Sequence, residues 1–117
     1  MSIKIYHNPR CSKSRDSFNL LTEKGLDFET RAYLKTPPSQ EELEDLLQKL
    51  DYKAAQLIRK TEPAYKEHFK GKTLSEAEWI QAMLEYPKLI ERPIIIVGDK
   101  AVVARPIEKL MDLLASK

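Results

Sequence analysis

Cys11 is the single cysteine of this 117-residue chain and its best candidate for chemistry. A cysteine acts as a nucleophile in its thiolate form, which nearby cations and hydrogen-bond donors stabilise. Three cations, a hydroxyl and an imidazole lie close to it in sequence: Arg10, Lys13, Arg15, Ser14 and His7. A free cysteine is more commonly a small buried apolar residue. The polar segment 10–15 favours a reactive thiol instead.

Three arginines elsewhere are suited to binding an oxyanion. Arg59, Arg92 and Arg105 each adjoin an apolar segment or the boundary of a predicted element. Arg92 precedes Pro93 and Arg105 precedes Pro106, which favours extended backbone at both arginines. A planar guanidinium can donate two parallel hydrogen bonds to a tetrahedral oxyanion. Taken singly, each arginine is more often a surface residue, and spacing alone does not bring the three together.

The elements around Cys11 are predicted to be a strand, a loop and a helix. Residues 3–5 have the pattern of a short strand, which the Asn8-Pro9 pair ends. The modest apolar face formed by Phe18, Leu20 and Leu21 predicts a helix over residues 12–24, and Gly25 favours its end. Cys11 then lies at the first turn of this helix, where backbone N–H groups and the helix dipole favour a thiolate.

The rest of the chain predicts a sheet interrupted by a helical segment. Residues 28–33 alternate as a second strand, ended by prolines. Capping boxes at Ser39/Glu42 and Ser75/Glu78 predict two helices, and residues 52–71 are predicted to form short helical pieces between them. Residues 93–104 predict an antiparallel hairpin, after which Pro106 opens a last helix. The predicted apolar faces of the three later helices are Leu43, Leu46, Leu47 and Leu50; Trp79, Ile80, Met83 and Leu84; and Ile107, Leu110, Met111 and Leu114.

Composition and charge narrow the function classes. With 42% hydrophobic and 32% charged residues, the chain has the composition of one globular domain. Its 20 basic and 18 acidic residues give a net charge of +2, so no nucleic-acid partner is expected. No membrane partner is expected either. No apolar run suits a membrane helix or a signal peptide, and a single cysteine suits a reducing compartment, so we expect a cytoplasmic protein.

The segment 6–15, Tyr-His-Asn-Pro-Arg-Cys-Ser-Lys-Ser-Arg, resembles the active-site segment of the glutaredoxin-coupled arsenate reductases. Four further segments are similar to that family's other signatures, in the same order: residues 33–38, 57–60, 86–94 and 104–106. The resemblance covers essentially the whole chain. It implies one thioredoxin-like domain over residues 1–117, an α/β fold whose mixed four-stranded sheet is flanked by helices and carries a helical insertion.

The resemblance also implies a role for each candidate residue. Cys11 would attack arsenate, and Ser14 and His7 would lower the pKa of its thiol. The arginines that would hold the oxyanion are Arg59, Arg92 and Arg105. The bond before Pro93 would be cis and would face the cysteine.

An external thiol is expected to complete the reaction. Reduction of arsenate to arsenite takes two electrons, and one cysteine cannot supply both thiols. The family implies glutathione as co-substrate and glutaredoxin as electron-donor protein, with no bound cofactor. We expect His68 to face solvent, and we expect no metal because His68 has no further ligand at a suitable spacing. Trp79 and Met83 are expected to be core residues.

Two other functions are compatible with parts of the sequence. Relatives of this family include redox-sensing regulators that bind RNA polymerase, but these typically use a Cys-x-x-Cys pair, and the second position here is Ser14. A glutaredoxin-like oxidoreductase needs only one low-pKa cysteine, but it would leave the three arginines unexplained.

Overall fold

Four short strands form one mixed sheet in the computed structural model, which describes residues 2–116. The strands are β1 (Ile3–Tyr6), β2 (Glu29–Arg31), β3 (Ile94–Val97) and β4 (Lys100–Val103). They lie in the order β2-β1-β3-β4. β1 is parallel to β2 and antiparallel to β3, and β3 is antiparallel to β4. The predicted α/β fold with a mixed four-stranded sheet is confirmed.

The chain forms two compact units. Residues 1–36 and 92–117 make up the first unit, and Pro37–Glu91 make up the second. The first contains the sheet with α1 (Ser12–Glu23) and α5 (Glu108–Ala115). The second contains α2 (Gln40–Leu50), α3 (Pro63–His68), α4 (Glu76–Glu85) and the 3-10 helices Ala54–Leu57 and Pro87–Leu89. This second unit is the predicted helical insertion, and a single domain over the whole chain stays a prediction.

The core of the first unit lies between the sheet and its helices. β-Branched residues of β1 and β3 pair across the strands, Ile5 opposite Ile95 and Ile3 opposite Val97. These side chains pack against Leu21 of α1 and Leu110 of α5. The core therefore ties the strand before Cys11 to both helices of the unit.

The last helix differs from its prediction. It begins at Glu108, with Ile107 as its N-cap, and not at Pro106. Leu110 is fully buried, but Met111 is 45% exposed. One residue advances a helix by about 100°, so the residue after Leu110 is turned away from the sheet.

Both predicted capping boxes are present in the second unit. Ser39 Oγ accepts the Glu42 N–H at 3.2 Å, and Glu42 Oε1 accepts the Ser39 N–H at 3.0 Å. Ser75 and Glu78 make the same pair at 3.2 and 2.9 Å. α2 packs against α4. The side chains buried on these two helices include Leu43, Leu46, Leu47, Leu50, Trp79, Ile80 and Met83.

The structure can be compared with three local predictions: the end of β2, the segment 52–71 and the exposure of His68. β2 is shorter than predicted, because after Arg31 the chain folds into turns, with the Thr36 N–H donating to the Ala32 carbonyl at 2.9 Å. The short helical pieces within residues 52–71 are confirmed. His68 is exposed to solvent, as expected. Its ring stacks on that of Tyr86 with 5.2 Å between the ring centroids.

Two proline peptide bonds of the first unit are cis. The Arg92–Pro93 bond is cis, as the family resemblance implies. The Arg105–Pro106 bond is cis as well, which the sequence did not predict. Across residues 2–116, no helix combines the length and the apolar character that crossing a membrane requires.

Candidate active site

Cys11 lies at the junction between β1 and α1. It is the N-cap residue of α1, with extended backbone, one position before the first turn in which the sequence placed it. Its N–H donates to the Asn8 carbonyl at 3.0 Å, and its carbonyl accepts the Arg15 N–H at 3.0 Å. The residue is only 8% exposed. The thiol therefore sits at the positive end of the helix and is largely shielded from water.

The pKa of the Cys11 thiol lies below its ordinary value. Burial raises this pKa, but the backbone N–H of Ser14, the charge of Arg92 and the backbone N–H of Lys13 together lower it by more. The helix terminus and one arginine thus favour the thiolate.

Arg92 and Arg105 meet beside the thiol. Arg105 Nη2 lies 3.8 Å from Cys11 Sγ. Arg105 Nε donates to the Arg92 carbonyl at 2.6 Å. Arg92 Nε is buried and has no hydrogen-bond partner among the residues that the structure describes. The structure therefore brings together three of the predicted site residues, with a guanidinium donor still available to a ligand.

His7 and Ser14 form a second contact, which joins the loop before Cys11 to the first turn of α1. His7 Nδ1 lies 2.6 Å from Ser14 Oγ, and the Asn8 N–H donates to the same oxygen at 3.0 Å. Ser14 is fully buried. Burial lowers the pKa of His7, and the charge of Arg15 lowers it further. The imidazole is therefore neutral near pH 7, and the Ser14 hydroxyl is engaged with the loop that precedes Cys11.

The loop between β1 and Cys11 is held by contacts that the sequence did not reveal. Arg15 Nη1 donates to the Pro9 carbonyl at 2.9 Å, so this predicted cation also fixes the backbone. Asn8 Oδ1 accepts the Arg10 N–H at 3.1 Å. An asparagine that binds the backbone two residues later is typical of turns. That preference was the one signal in the sequence for this loop geometry.

The ring of His7 also has an apolar neighbour. It stacks on Phe18 with 4.9 Å between ring centroids, and Phe18 meets Phe28 edge to face at 5.2 Å. Phe18 was predicted only as part of the apolar face of α1. Its position seven residues after Cys11 gave no signal of a role beside the site.

Arg59, the third predicted arginine, belongs to the second unit and is fixed by contacts within it. Its N–H donates to the Leu89 carbonyl at 2.7 Å. Its Nε donates to Thr61 Oγ1 at 3.0 Å. Its Nη1 is buried and lacks a hydrogen-bond partner within residues 2–116. Like Arg92, Arg59 therefore carries a buried donor that remains available.

The geometry suits nucleophilic attack on an anion. A thiolate supplies the nucleophile, and guanidinium donors beside it offset negative charge on an oxyanion. Within residues 2–116, no three or more His, Cys, Asp or Glu residues are grouped so that they could hold a metal ion. The side chains that the structure places beside the sulfur provide the chemistry of a cysteine with arginines.

Several known proteins are similar to this chain over nearly its whole length. An uncharacterized Escherichia coli K12 protein, YfgD, is 47% identical over 113 residues, which cover 95% of each chain. An arsenate reductase of Neisseria meningitidis serogroup A is 42% identical over 110 residues, 92% of this chain and 94% of its own. The solved structure of the arsenate reductase from Vibrio cholerae is 43% identical and has a TM-score of 0.90, covering 96% of this chain and 97% of that one. The ArsC family model matches residues 6–113, and the chain therefore belongs to the ArsC family.

Proposed function

We propose that this protein is an arsenate reductase that takes its electrons from glutathione through Cys11. The observation that carries the proposal is the 3.8 Å distance between Arg105 Nη2 and the Cys11 sulfur, whose pKa is lowered. A reactive thiolate beside arginine donors suits an oxyanion substrate. The arsenate reductases among the relatives align with this chain over nearly their full length.

In the first step the Cys11 thiolate attacks arsenic. A sulfur–arsenic bond forms, and one arsenate oxygen leaves as water after it has taken up protons. Arg92 and Arg105, together with Arg59, hold the remaining oxygens and offset their charge. The buried donors Arg92 Nε and Arg59 Nη1 support this role, because a buried N–H without a partner is costly until an acceptor binds.

Ser14 and His7 keep the thiol loop in its reactive geometry. The backbone N–H of Ser14 acts on the Cys11 sulfur and lowers the pKa of the thiol. Its hydroxyl joins His7 to the Asn8 backbone. We assign both residues to stabilising the thiolate and its loop.

In the second step glutathione completes the reduction. Its thiolate attacks the Cys11 sulfur, and the sulfur–arsenic bond breaks with its electron pair remaining on arsenic. Arsenite leaves, and Cys11 and glutathione are joined as a mixed disulfide. Two thiols have then supplied the two electrons. Glutaredoxin is the expected partner that reduces this disulfide, because the chain has no second cysteine to displace glutathione.

A coupled assay tests the proposal. Arsenate-dependent NADPH oxidation would be followed with glutathione, glutaredoxin and glutathione reductase, and separately with thioredoxin and its reductase. We expect multiple turnovers only with the glutathione system, and none for Cys11→Ser. Sustained turnover with thioredoxin alone, or activity in Cys11→Ser, would contradict the mechanism.

Two further arms test the other functions. Reduction of a glutathione mixed disulfide without any arsenate reduction would identify a glutaredoxin-like oxidoreductase. Capture of RNA polymerase by the protein, with no reductase activity, would identify a regulator.

Mass spectrometry tests the proposed intermediate directly. After treatment with arsenate and glutathione, the protein should show Cys11 carrying one glutathione when glutaredoxin is omitted.

A further inference from the structure

The side chain of Arg59 is held by a threonine two residues further along the chain. Arg59 Nε donates a hydrogen bond of 3.0 Å to Thr61 Oγ1. A guanidinium is a planar fork of five N–H donors. When Nε is occupied, the edge formed by Nη1 and Nη2 is the one left for an oxyanion. Nη1 on that edge is buried and has no hydrogen-bond partner in the described part of the chain.

The backbone of Arg59 is fixed independently. The segment 57–59 pairs with 89–91: the Arg59 N–H donates to the Leu89 carbonyl at 2.7 Å, and the Glu91 N–H donates to the Leu57 carbonyl at 2.8 Å. Ile58 and Ile90 form an antiparallel bridge between them, and both side chains are buried. With the main chain held, the freedom that remains lies in the arginine side chain. Thr61 limits that freedom.

Arg105 shows the same arrangement in the first unit. Its Nε is also occupied by a protein oxygen, the Arg92 carbonyl at 2.6 Å. Its Nη2 then lies 3.8 Å from Cys11 Sγ. In both arginines a protein oxygen accepts from Nε, so the protein itself sets the orientation of the guanidinium. An arginine oriented in advance loses less side-chain freedom when it binds an anion.

We propose that Thr61 is a positioning residue for the oxyanion. Its hydroxyl orients the Arg59 guanidinium so that the Nη edge receives the tetrahedral anion, while Thr61 itself does not touch the substrate. This inference rests on the role of Arg59 in the proposed function. Loss of the hydroxyl should weaken binding of the anion and leave the reacting sulfur unchanged.

The test compares Thr61→Val, which keeps the shape but removes the hydroxyl, with Thr61→Ser, which keeps the hydroxyl. Thr73→Val is the matched control, because Thr73 is also an exposed threonine of the second unit. We expect Thr61→Val to raise the KM for arsenate about five-fold, with little change in kcat; the effect is smaller than for a buried hydrogen bond to a charged group because this contact is exposed to solvent. Thr61→Ser and Thr73→Val should resemble the wild type. The dissociation constant for sulfate, measured by thermal shift, should follow the KM.

A double-mutant cycle separates positioning from a general structural effect. In the Arg59→Ala background, Thr61→Val should cause no further loss, because it acts through Arg59. An equal loss in both backgrounds, a wild-type KM for Thr61→Val, or failure of Thr61→Ser to restore the KM would overturn the inference. If Arg59→Ala leaves the KM unchanged, the role of Arg59 in the proposed function fails. If Arg59→Ala raises the KM and Thr61→Val does not, the positioning inference alone fails.

Discussion

Arg105 and Arg92 are joined by a hydrogen bond of 2.6 Å between the Nε of the first and the carbonyl oxygen of the second. The bond connects residues 13 apart in sequence, each of which precedes a cis proline bond. It orients the Arg105 guanidinium, whose Nη2 lies 3.8 Å from Cys11 Sγ. The position of the candidate oxyanion donors therefore depends on the geometry of the guanidinium as well as on its charge.

Arg105→Lys should weaken anion binding although it keeps the positive charge. An ammonium cannot donate to the Arg92 carbonyl and present a two-donor edge to an anion at the same time. Because a hydrogen bond to a charged group contributes about 1.5–3 kcal/mol, we expect the dissociation constant for sulfate or arsenate to rise at least about ten-fold. Titration of the melting temperature with each anion measures this change.

Arg31→Lys is the matched control for that substitution. Arg31 Nε also donates to a backbone carbonyl, that of Thr36 at 2.8 Å, but the contact lies on a solvent-exposed part of the molecule. Its replacement should leave the anion dissociation constant unchanged. An equal rise of the anion dissociation constant in both variants would show that the change at Arg105 acts on stability and not on binding.

The Cys11 thiol should react with iodoacetamide at a pH below the ordinary range of cysteine. A free thiol has a pKa of about 8.5, and the fold lowers this value through the helix terminus and Arg92, against the effect of burial. The rate of alkylation against pH should therefore have its midpoint below that of a cysteine in an unstructured peptide. A midpoint at or above that of a cysteine-containing peptide would contradict the assignment.

Two substitutions should move that midpoint upward. Arg92→Ala removes a charge that lowers the Cys11 pKa. Ser14→Ala removes the oxygen that binds the Asn8 N–H and His7, which loosens the loop around the helix terminus. Ser12→Ala, at an exposed residue of the same turn, serves as the control and should leave the midpoint in place. An unchanged midpoint in Ser14→Ala would remove Ser14 from the site.

His7 should titrate below the usual histidine pKa of about 6.5. Burial lowers its pKa most, and the charge of Arg15 adds to this effect. The chain has two histidines, so NMR titration with a His68→Gln variant assigns the imidazole signals. Arg15→Gln should raise the His7 pKa, whereas Lys24→Gln, at the far end of α1, should not.

The lowered His7 pKa also sets the sign of a pH effect on stability. Between the folded pKa and 6.5 the unfolded chain binds more protons than the folded one, so the free energy of unfolding should rise with pH across that window. Replacing His7 with Gln should reduce this slope. A slope of opposite sign in urea denaturation would mean that His7 is stabilised in its charged form.

Ser39→Ala should destabilise the second unit. The Ser39 hydroxyl accepts the Glu42 N–H at 3.2 Å and caps α2. Loss of an N-cap of this type costs about 1 kcal/mol in the free energy of unfolding. Ser39→Asp should retain most of the stability, because a carboxylate also caps a helix. Urea denaturation of the three proteins measures the difference, and equal stability of Ser39→Ala and wild type would contradict it.

Local patterns accounted for much of the fold. The capping boxes of Ser39 and Ser75, the hairpin turn after Val97 and the helix after Cys11 each depend on interactions between residues close in sequence. Such interactions are formed by a few neighbouring side chains and are visible in residue order. The boundaries were less accurate where competing turns decided them, as at the end of β2.

The sequence by itself thus determined the candidate nucleophile, because the chain has one cysteine and a helix begins after it. It could name Arg92 and Arg105 as candidates but could not bring them together. Their contact with each other and the approach of Arg105 to Cys11, 94 residues away, arise from the pairing of β1 with β3 and of β3 with β4. Those pairings are set by burial of apolar side chains across the sheet, which no short segment specifies alone. The tertiary structure therefore decided which charged side chains the thiol meets.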